Sequence, residues 1–255
     1  MSARRVKDVQ RAWSTTGARV ERVDRVLVDE LRESVEVRGP EAHHLRDVLR
    51  LRVGDEVEAF DGRGRFARGT LAAVDRERVV LSLGEPRAST AEPRVAVTLA
   101  VALLKGDKLV DVVRPATELG VARVRLFVST NCEAREISAV KLGRLRRVAQ
   151  EAARQCGRSV VPDVEEPVPL ASLPLDGAAV VGDPAAGSGL ADHLDELLSA
   201  PAVTLVTGPE GGLTEAEVMA LRERGALAVR LGPRVLRADT APVALAAALL
   251  LSEGS

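Results

Sequence analysis

The sequence has no tyrosine, one tryptophan and three phenylalanines, so aromatic residues make up only 2% of its 255 positions. A core must therefore be built from Val, Leu and Ala. An RNA surface that works by stacking bases on aromatic rings is disfavoured. Cysteine is scarce as well. Cys132 and Cys156 fit neither a metal spacing nor a disulfide framework, which points to reduced thiols and a cytoplasmic protein. Histidine is confined to His43, His44 and His193. The first two are adjacent and cannot reach one ion from the same helix face, so no metal is expected. No apolar run approaches the roughly 18 residues of a membrane span. Residues 1–22 are rich in arginine but lack the apolar centre of a signal peptide, and they read as a flexible N-terminal extension. With a net charge of −1, any contact with nucleic acid must come from local patches.

What is present divides the chain in two. Residues 23–84 carry short alternating runs at 25–28, 34–37, 55–60, 65–74 and 78–83, with one helical run at 40–51 opened by Pro40. Five strands and a helix in that length predict a small, partly closed β-barrel. Residues 85–94 hold two prolines among Ser and Glu and read as a linker. From 95 to 255 the pattern alternates between strand (95–104, 123–128, 178–181, 204–206, 226–231) and helix (107–119, 138–156, 190–198). This predicts an α/β domain whose mostly parallel sheet is covered on both faces. Pro115 inside the first of these helices is expected to kink it or end its regular bonding.

The chemistry gathers in 203–250. A strand runs into Thr207-Gly208-Pro209-Glu210-Gly211-Gly212, and Thr214 with Glu217 then forms a capping box for the next helix. The loop has neither the Lys-Ser/Thr of a phosphate-binding P-loop nor the three-glycine dinucleotide fingerprint. A second loop follows the 226–231 strand and holds Gly232, Pro233, Arg234, Val235, Leu236, Arg237, Asp239 and Thr240. A third, Gly182-Asp183-Pro184, closes another strand. Loops at the ends of parallel strands converge on ligands, so these three outline one pocket for a small molecule. Arg237 and Asp239 either face a polar ligand or pair to stiffen their turn. Two basic patches are equally open between phosphate contact and solvation: the 63–68 hairpin (Arg63, Arg65, Arg68) and the 135–158 helix (Arg144, Arg147, Arg154, Arg158).

Five blocks in order give these features a common origin: EAHHLRDVLRLRVGDEVEAFDGRG (41–64), LLKGDKLVDVVRPATELGV (103–121), RLRRVAQEAARQCGRSVVP (144–162), TGPEGGLTEAEV (207–218) and LGPRVLRADTAP (231–242). On them the chain resembles the bacterial 16S ribosomal RNA uridine-N3 methyltransferases, within the SPOUT superfamily of knotted enzymes that use S-adenosylmethionine. The resemblance implies a PUA-like RNA-binding barrel over 23–84, a SPOUT methyltransferase domain over 95–255 with a trefoil knot, and a homodimer acting on 16S rRNA of the small ribosomal subunit. It implies a cofactor held by Gly182, Asp183, Thr207, Gly208, Pro209, Glu210, Gly211, Gly212, Leu231, Gly232, Val235, Leu236, Arg237 and Thr240. Arg237 would stabilise charge developing on the uracil oxygens, with Glu210 and Asp239 as candidate proton acceptors. The arginines of both patches would hold RNA phosphates. Pro115 and Asp239 depart from the family pattern, which usually carries Lys and Glu there. The alternatives are ribose 2′-O-methylation by the same fold and a catalytically silent RNA-binding or ribosome assembly factor.

Overall fold

The computed structural model describes residues 23–254 and builds two sheets, one after the other along the chain; the extension expected over 1–22 lies outside the described residues. The first sheet contains β1 (Asp24–Leu27), β2 (Ser34–Arg38), β3 (Glu56–Phe60), β4 (Arg65–Val74), β5 (Arg78–Leu83) and β6 (Arg87–Ala88). Its order is β1-β3-β4-β5-β2 with β6 on β4, and β1 runs parallel to β3 while the other pairs are antiparallel. Val26 on one edge strand and Val37 on the other share a single core with Val57, Leu71 and Leu81. The sheet is therefore curled around that core, although its edge strands do not pair. The helical run expected across 40–51 is shorter and bent: α1 (Gly39–His43) passes into a π-helical turn over His44–Val48. The bond from Leu49 N to the His44 carbonyl (2.9 Å) closes the wider loop, and Leu45 is fully buried beneath it.

The second sheet contains β7 (Ala96–Ala102), β8 (Arg123–Val128), β9 (Asp163–Val164), β10 (Val168–Pro169), β11 (Ala178–Gly182), β12 (Ala202–Thr207) and β13 (Ala226–Val229). All pairings are parallel, in the order β10-β8-β7-β12-β11-β13 with β9 also on β8. Successive residues Val97 to Ala102 are all buried in β7, which requires cover on both faces because neighbouring side chains point opposite ways. Helix α2 (Lys108–Leu119) packs on α3 (Ala139–Cys156), and both lie between β7 and β9 in sequence. Short helices α4 (Leu194–Ser199) and α5 (Glu215–Glu223) precede and follow β12, and α6 (Ala241–Leu250) packs on α2, β7 and β12. Helix α2 continues through Pro115, so of the two outcomes expected there, a kink or an end to regular bonding, the helix does not end. A mid-helix proline costs about 3 kcal/mol. Leu109, Val112, Val113 and Ala116 are buried on the same helix, and each large apolar side chain so placed contributes about 1.5–3 kcal/mol. The packing outweighs the lost bond, and the helix ends at Gly120 (φ +113°).

The expected linker is not a free connector. Residues Arg87–Ala88 pair with β4, and the Glu253 carboxylate accepts the backbone N–H of Val95 at 2.7 Å. Glu92 accepts from the Arg158 guanidinium (2.8 and 2.9 Å) and from the N–H groups of Ser159 and Val160 (2.9 and 3.0 Å). The turn between β3 and β4 is joined to the segment after Cys156 by Val161 N to Gly62 O and Gly64 N to Ser159 O. Arg25 stacks over the Phe60 ring and donates to Ser159 Oγ at 3.0 Å.

Two arginines expected on RNA phosphates sit in this junction instead. Arg158 is only 3% exposed and also donates to the carbonyls of Thr117 and Val121 (2.7 and 2.8 Å). Arg154 pairs with Glu41 of α1 at 2.6 Å. A guanidinium has five donors in a rigid fork, so it can satisfy several buried acceptors at once. That use removes Arg158 from the RNA-facing set and leaves Arg154 mostly covered.

Candidate active site

Strand register creates the site. Gly182 lies opposite Val229 and Val181 opposite Val206, so β11, β12 and β13 end at one edge. Thr207 lies opposite Val101 of β7, and Ala102 opposite Phe127 of β8, so the loops after those strands open at the same edge. There a cleft of about 530 Å³ is cut into the sheet. Small-molecule sites span roughly 300–1,000 Å³. All three loops expected from the sequence wall it: Gly182-Asp183-Pro184, the segment from Thr207 to Gly212, and the segment from Leu231 to Ala238 apart from Pro233. The first and last of these regions are tied together by Asp183 N to Val229 O and Arg230 N to Ser188 O. Leu213, Val218, Leu231, Val235 and Leu236 give the cleft an apolar side. Thr207 is 2% exposed, and its hydroxyl has no hydrogen-bond partner among the described residues. A buried hydroxyl left unpaired is costly unless a ligand completes it.

Two of the expected residues stand off the wall. Thr240 starts α6, its N–H on the Arg237 carbonyl and its own carbonyl taking the N–H of Ala244. Asp239 lies behind Arg237, with Oδ1 3.5 Å from Arg237 Nε. Arg237 does line the cleft, and its side chain is 76% exposed. That exposure leaves it room to turn toward a ligand.

Glu210 is held more firmly. Its Oε1 accepts from Lys108 Nζ at 2.7 Å and from the backbone N–H of Lys105 at 3.1 Å. Burial pushes this carboxyl up, but the Lys108 hydrogen bond and the backbone N–H groups outweigh it and hold the group below its ordinary value. A carboxylate stabilised in this way is a weak proton acceptor.

Two glycines of the loop make room for neighbouring protein atoms. A Cβ on Gly211 would lie 2.9 Å from Asn131 Cβ, and one on Gly208 3.0 Å from Leu213. Asn131 donates from Nδ2 to the carbonyls of Gly211 and Gly212, both at 3.1 Å. Beside it, Glu217 closes the capping box on Thr214 and also accepts from the N–H (2.7 Å) and hydroxyl (2.9 Å) of Thr130. Burial raises the Glu217 carboxyl, yet these donors together bring it below its ordinary value. Lys105, Lys108, Thr130 and Asn131 were all missed by sequence reasoning. Lys108 and Glu210 are 102 residues apart, and only the knowledge that β7 lies beside β12 in the sheet would have joined them.

Among the cations expected on RNA, Arg68 pairs with Glu58 and Arg144 with Asp107, both with side chains more than half exposed. Arg63 donates to the Asp29 carbonyl from an exposed hairpin that also carries Arg65. Arg147 lines a groove between the curled sheet and α3.

A parallel sheet with a glycine-walled cleft at its carboxyl edge, carried beside a curled β-domain, defines a two-part α/β protein with a site of nucleotide size. Comparison narrows this. Models of an RNA methyltransferase domain and an RNA methyltransferase PUA domain match residues 91–250 and 37–84. The chain is 31% identical over 219 residues to ribosomal RNA small subunit methyltransferase E of Bacillus subtilis, covering 81% of this chain and 86% of that one. It is 34% identical over 229 residues to the protein of the same name from Mycobacterium bovis, covering 85% and 86%. Among solved structures, ribosomal RNA small subunit methyltransferase E from Neisseria gonorrhoeae bound to S-adenosyl methionine superposes with a TM-score of 0.82 at 28% identity, over 91% of this chain and 98% of that one. A putative methyltransferase of Legionella pneumophila with the same cofactor bound gives 0.81 at 25% identity, with the same coverage. The chain belongs to the RNA methyltransferase family, with the SPOUT-type α/β domain and PUA-like domain of that family.

Proposed function

We propose that the protein transfers the methyl group of S-adenosylmethionine to N3 of a uridine in 16S ribosomal RNA. The observation that carries this reading is the cleft itself. It has an apolar side suited to an adenine, an orphaned hydroxyl at Thr207, and charged side chains at its rim, all at the edge where parallel α/β sheets hold ligands. The relatives' shared name supplies the substrate, the small-subunit rRNA.

The bound cofactor supplies a methyl group on a sulfonium, open to in-line attack. The chain's contribution is positioning and charge. Leu231, Val235 and Leu236 would hold the adenine and keep water from it. Arg237 would meet the uracil oxygens as N3 loses its proton, in a site where a fixed cation needs no reorganisation. Glu210 is bound to Lys108, which leaves Asp239 or solvent to take that proton. A uridine must be unpaired or flipped to present N3. Arg63, Arg65, Arg68, Arg144 and Arg147 would hold its flanking phosphates.

A homodimer fits one further feature. Helix α6 has no charged residue, and after its core contacts it leaves Ala248 exposed, beside half-buried Ala244 and Ala247 and the exposed Leu251 that follows it. A second copy would cover that stripe. Among the described residues no helix is long and apolar enough to cross a membrane, and a protein acting on rRNA would work in the cytoplasm. Incubation with radiolabelled cofactor tests the assignment. Label should enter small ribosomal subunits that lack the modification and not large ones; label in neither would favour a silent assembly factor.

A further inference from the structure

Only part of the cleft's charge is accounted for by the reacting base. Lys108 and Glu210 both line it, and their 2.7 Å contact is an ion pair between two wall residues. Their side chains are about 30% exposed, so each still has a free side toward the cleft. The pair is braced from behind: Lys108 stands at the start of α2, and Glu210 also takes the Lys105 N–H. Such bracing fixes one cation and one anion side by side where the Thr207–Gly212 loop meets the start of α2. Arg234 and Arg237 belong to the other loop, and Arg237 has its counter-ion in Asp239, off the wall. Asp183, the remaining acidic wall residue, is engaged by the N–H of Ala185 at 2.9 Å.

We propose that the Lys108–Glu210 pair receives the amino-acid end of the cofactor, Lys108 donating to its α-carboxylate and Glu210 accepting from its α-ammonium. This rests on the reading of the cleft as an S-adenosylmethionine site. An amino-acid zwitterion carries an acid and a base a few ångströms apart, and a fixed ion pair of opposite sense is its complement. Charge-assisted bonds of this kind are also directional, so they would set where the sulfur lies along the cleft. Lys108 lies outside every glycine loop, which is why no local pattern marks it.

The test compares two neutral-sulfur ligands by calorimetry: S-adenosylhomocysteine, which has the amino-acid end, and 5′-methylthioadenosine, which lacks it. The unaltered protein should prefer the first. In Lys108→Met and Glu210→Gln that preference should collapse, with S-adenosylhomocysteine weakened about tenfold or more, the order expected for losing a charged hydrogen bond. Binding of 5′-methylthioadenosine should stay within about twofold, which also reports that the variants are folded. Lys108→Arg should retain most of the preference. Equal weakening of both ligands would show that the pair is only a brace for the loop and would overturn the proposal. Failure of the unaltered protein to bind either ligand would instead overturn the cofactor reading beneath it.

Discussion

Arg237 is distinguished by how little the protein asks of it. Its side chain's partner among the described residues, Asp239, is 3.5 Å from Nε, and three-quarters of the side chain is in solvent. Arg237→Ala should therefore leave stability and cofactor affinity nearly unchanged while lowering methyl transfer about 10²-fold or more, the scale of losing one preorganised charge stabiliser. Single-turnover transfer and cofactor titration on the same variant check both halves. Asn131 is the opposite case, a residue without a reactive group whose two donated bonds shape the glycine loop. Each such bond is worth about 0.5–1.5 kcal/mol net. Asn131→Ala should weaken cofactor binding about tenfold, measurable by calorimetry, with the fold intact. The glycines themselves were legible in the sequence, but the reason for them was not. A Cβ at Gly211 would meet Asn131 Cβ, a contact between loops that no local pattern marks.

At the level of elements, the capping box of Thr214 and Glu217 was readable from spacing and is present. Its extension to Thr130 was not, because that residue follows a strand two positions away in the sheet. Replacing a capping partner costs about 1 kcal/mol. Glu217→Gln should lower stability by about that amount at neutral pH. The sign with pH follows from the lowered carboxyl. Its stabilisation is complete above the unfolded value and fades as pH falls through the folded one, so the two proteins should converge in acid. Urea titrations at several pH values would show the gap closing, and a constant gap would contradict the assignment. Helix α2 offers a converse test. Since packing alone carries it through Pro115, Pro115→Ala should restore a backbone donor and raise stability by up to about 3 kcal/mol.

For the whole molecule, the division into a β-rich part and a parallel α/β part was visible in the change of hydrophobic period near residue 90. The junction was not, since it is made by arginines that composition alone assigns to a basic surface. Arg158 illustrates the ambiguity. Charge left phosphate contact and solvation equally open and the family resemblance implied RNA, but Glu92 and two carbonyls enclose it. Arg158→Ala would strand Glu92 in the junction. Breaking a buried pair costs about 3–5 kcal/mol, so this variant should show a large loss in denaturant midpoint. By contrast, Arg144 and Arg147 changed together to Ala should leave stability alone and weaken RNA binding. For every phosphate no longer neutralised, the dependence of log affinity on log salt should flatten by about 0.7–0.9. An unchanged slope would mean these side chains are merely solvated.

Methyl transfer from this cleft to one atom of one base is tested most directly by the identity of the product nucleoside. Small ribosomal subunits lacking the modification would be incubated with the protein and S-adenosylmethionine, and their 16S rRNA digested to nucleosides for mass spectrometry. The expected product is 3-methyluridine, lost in Arg237→Ala. A methyl group on a ribose 2′-oxygen, or 3-methyluridine formed equally well by that variant, would contradict the assignment.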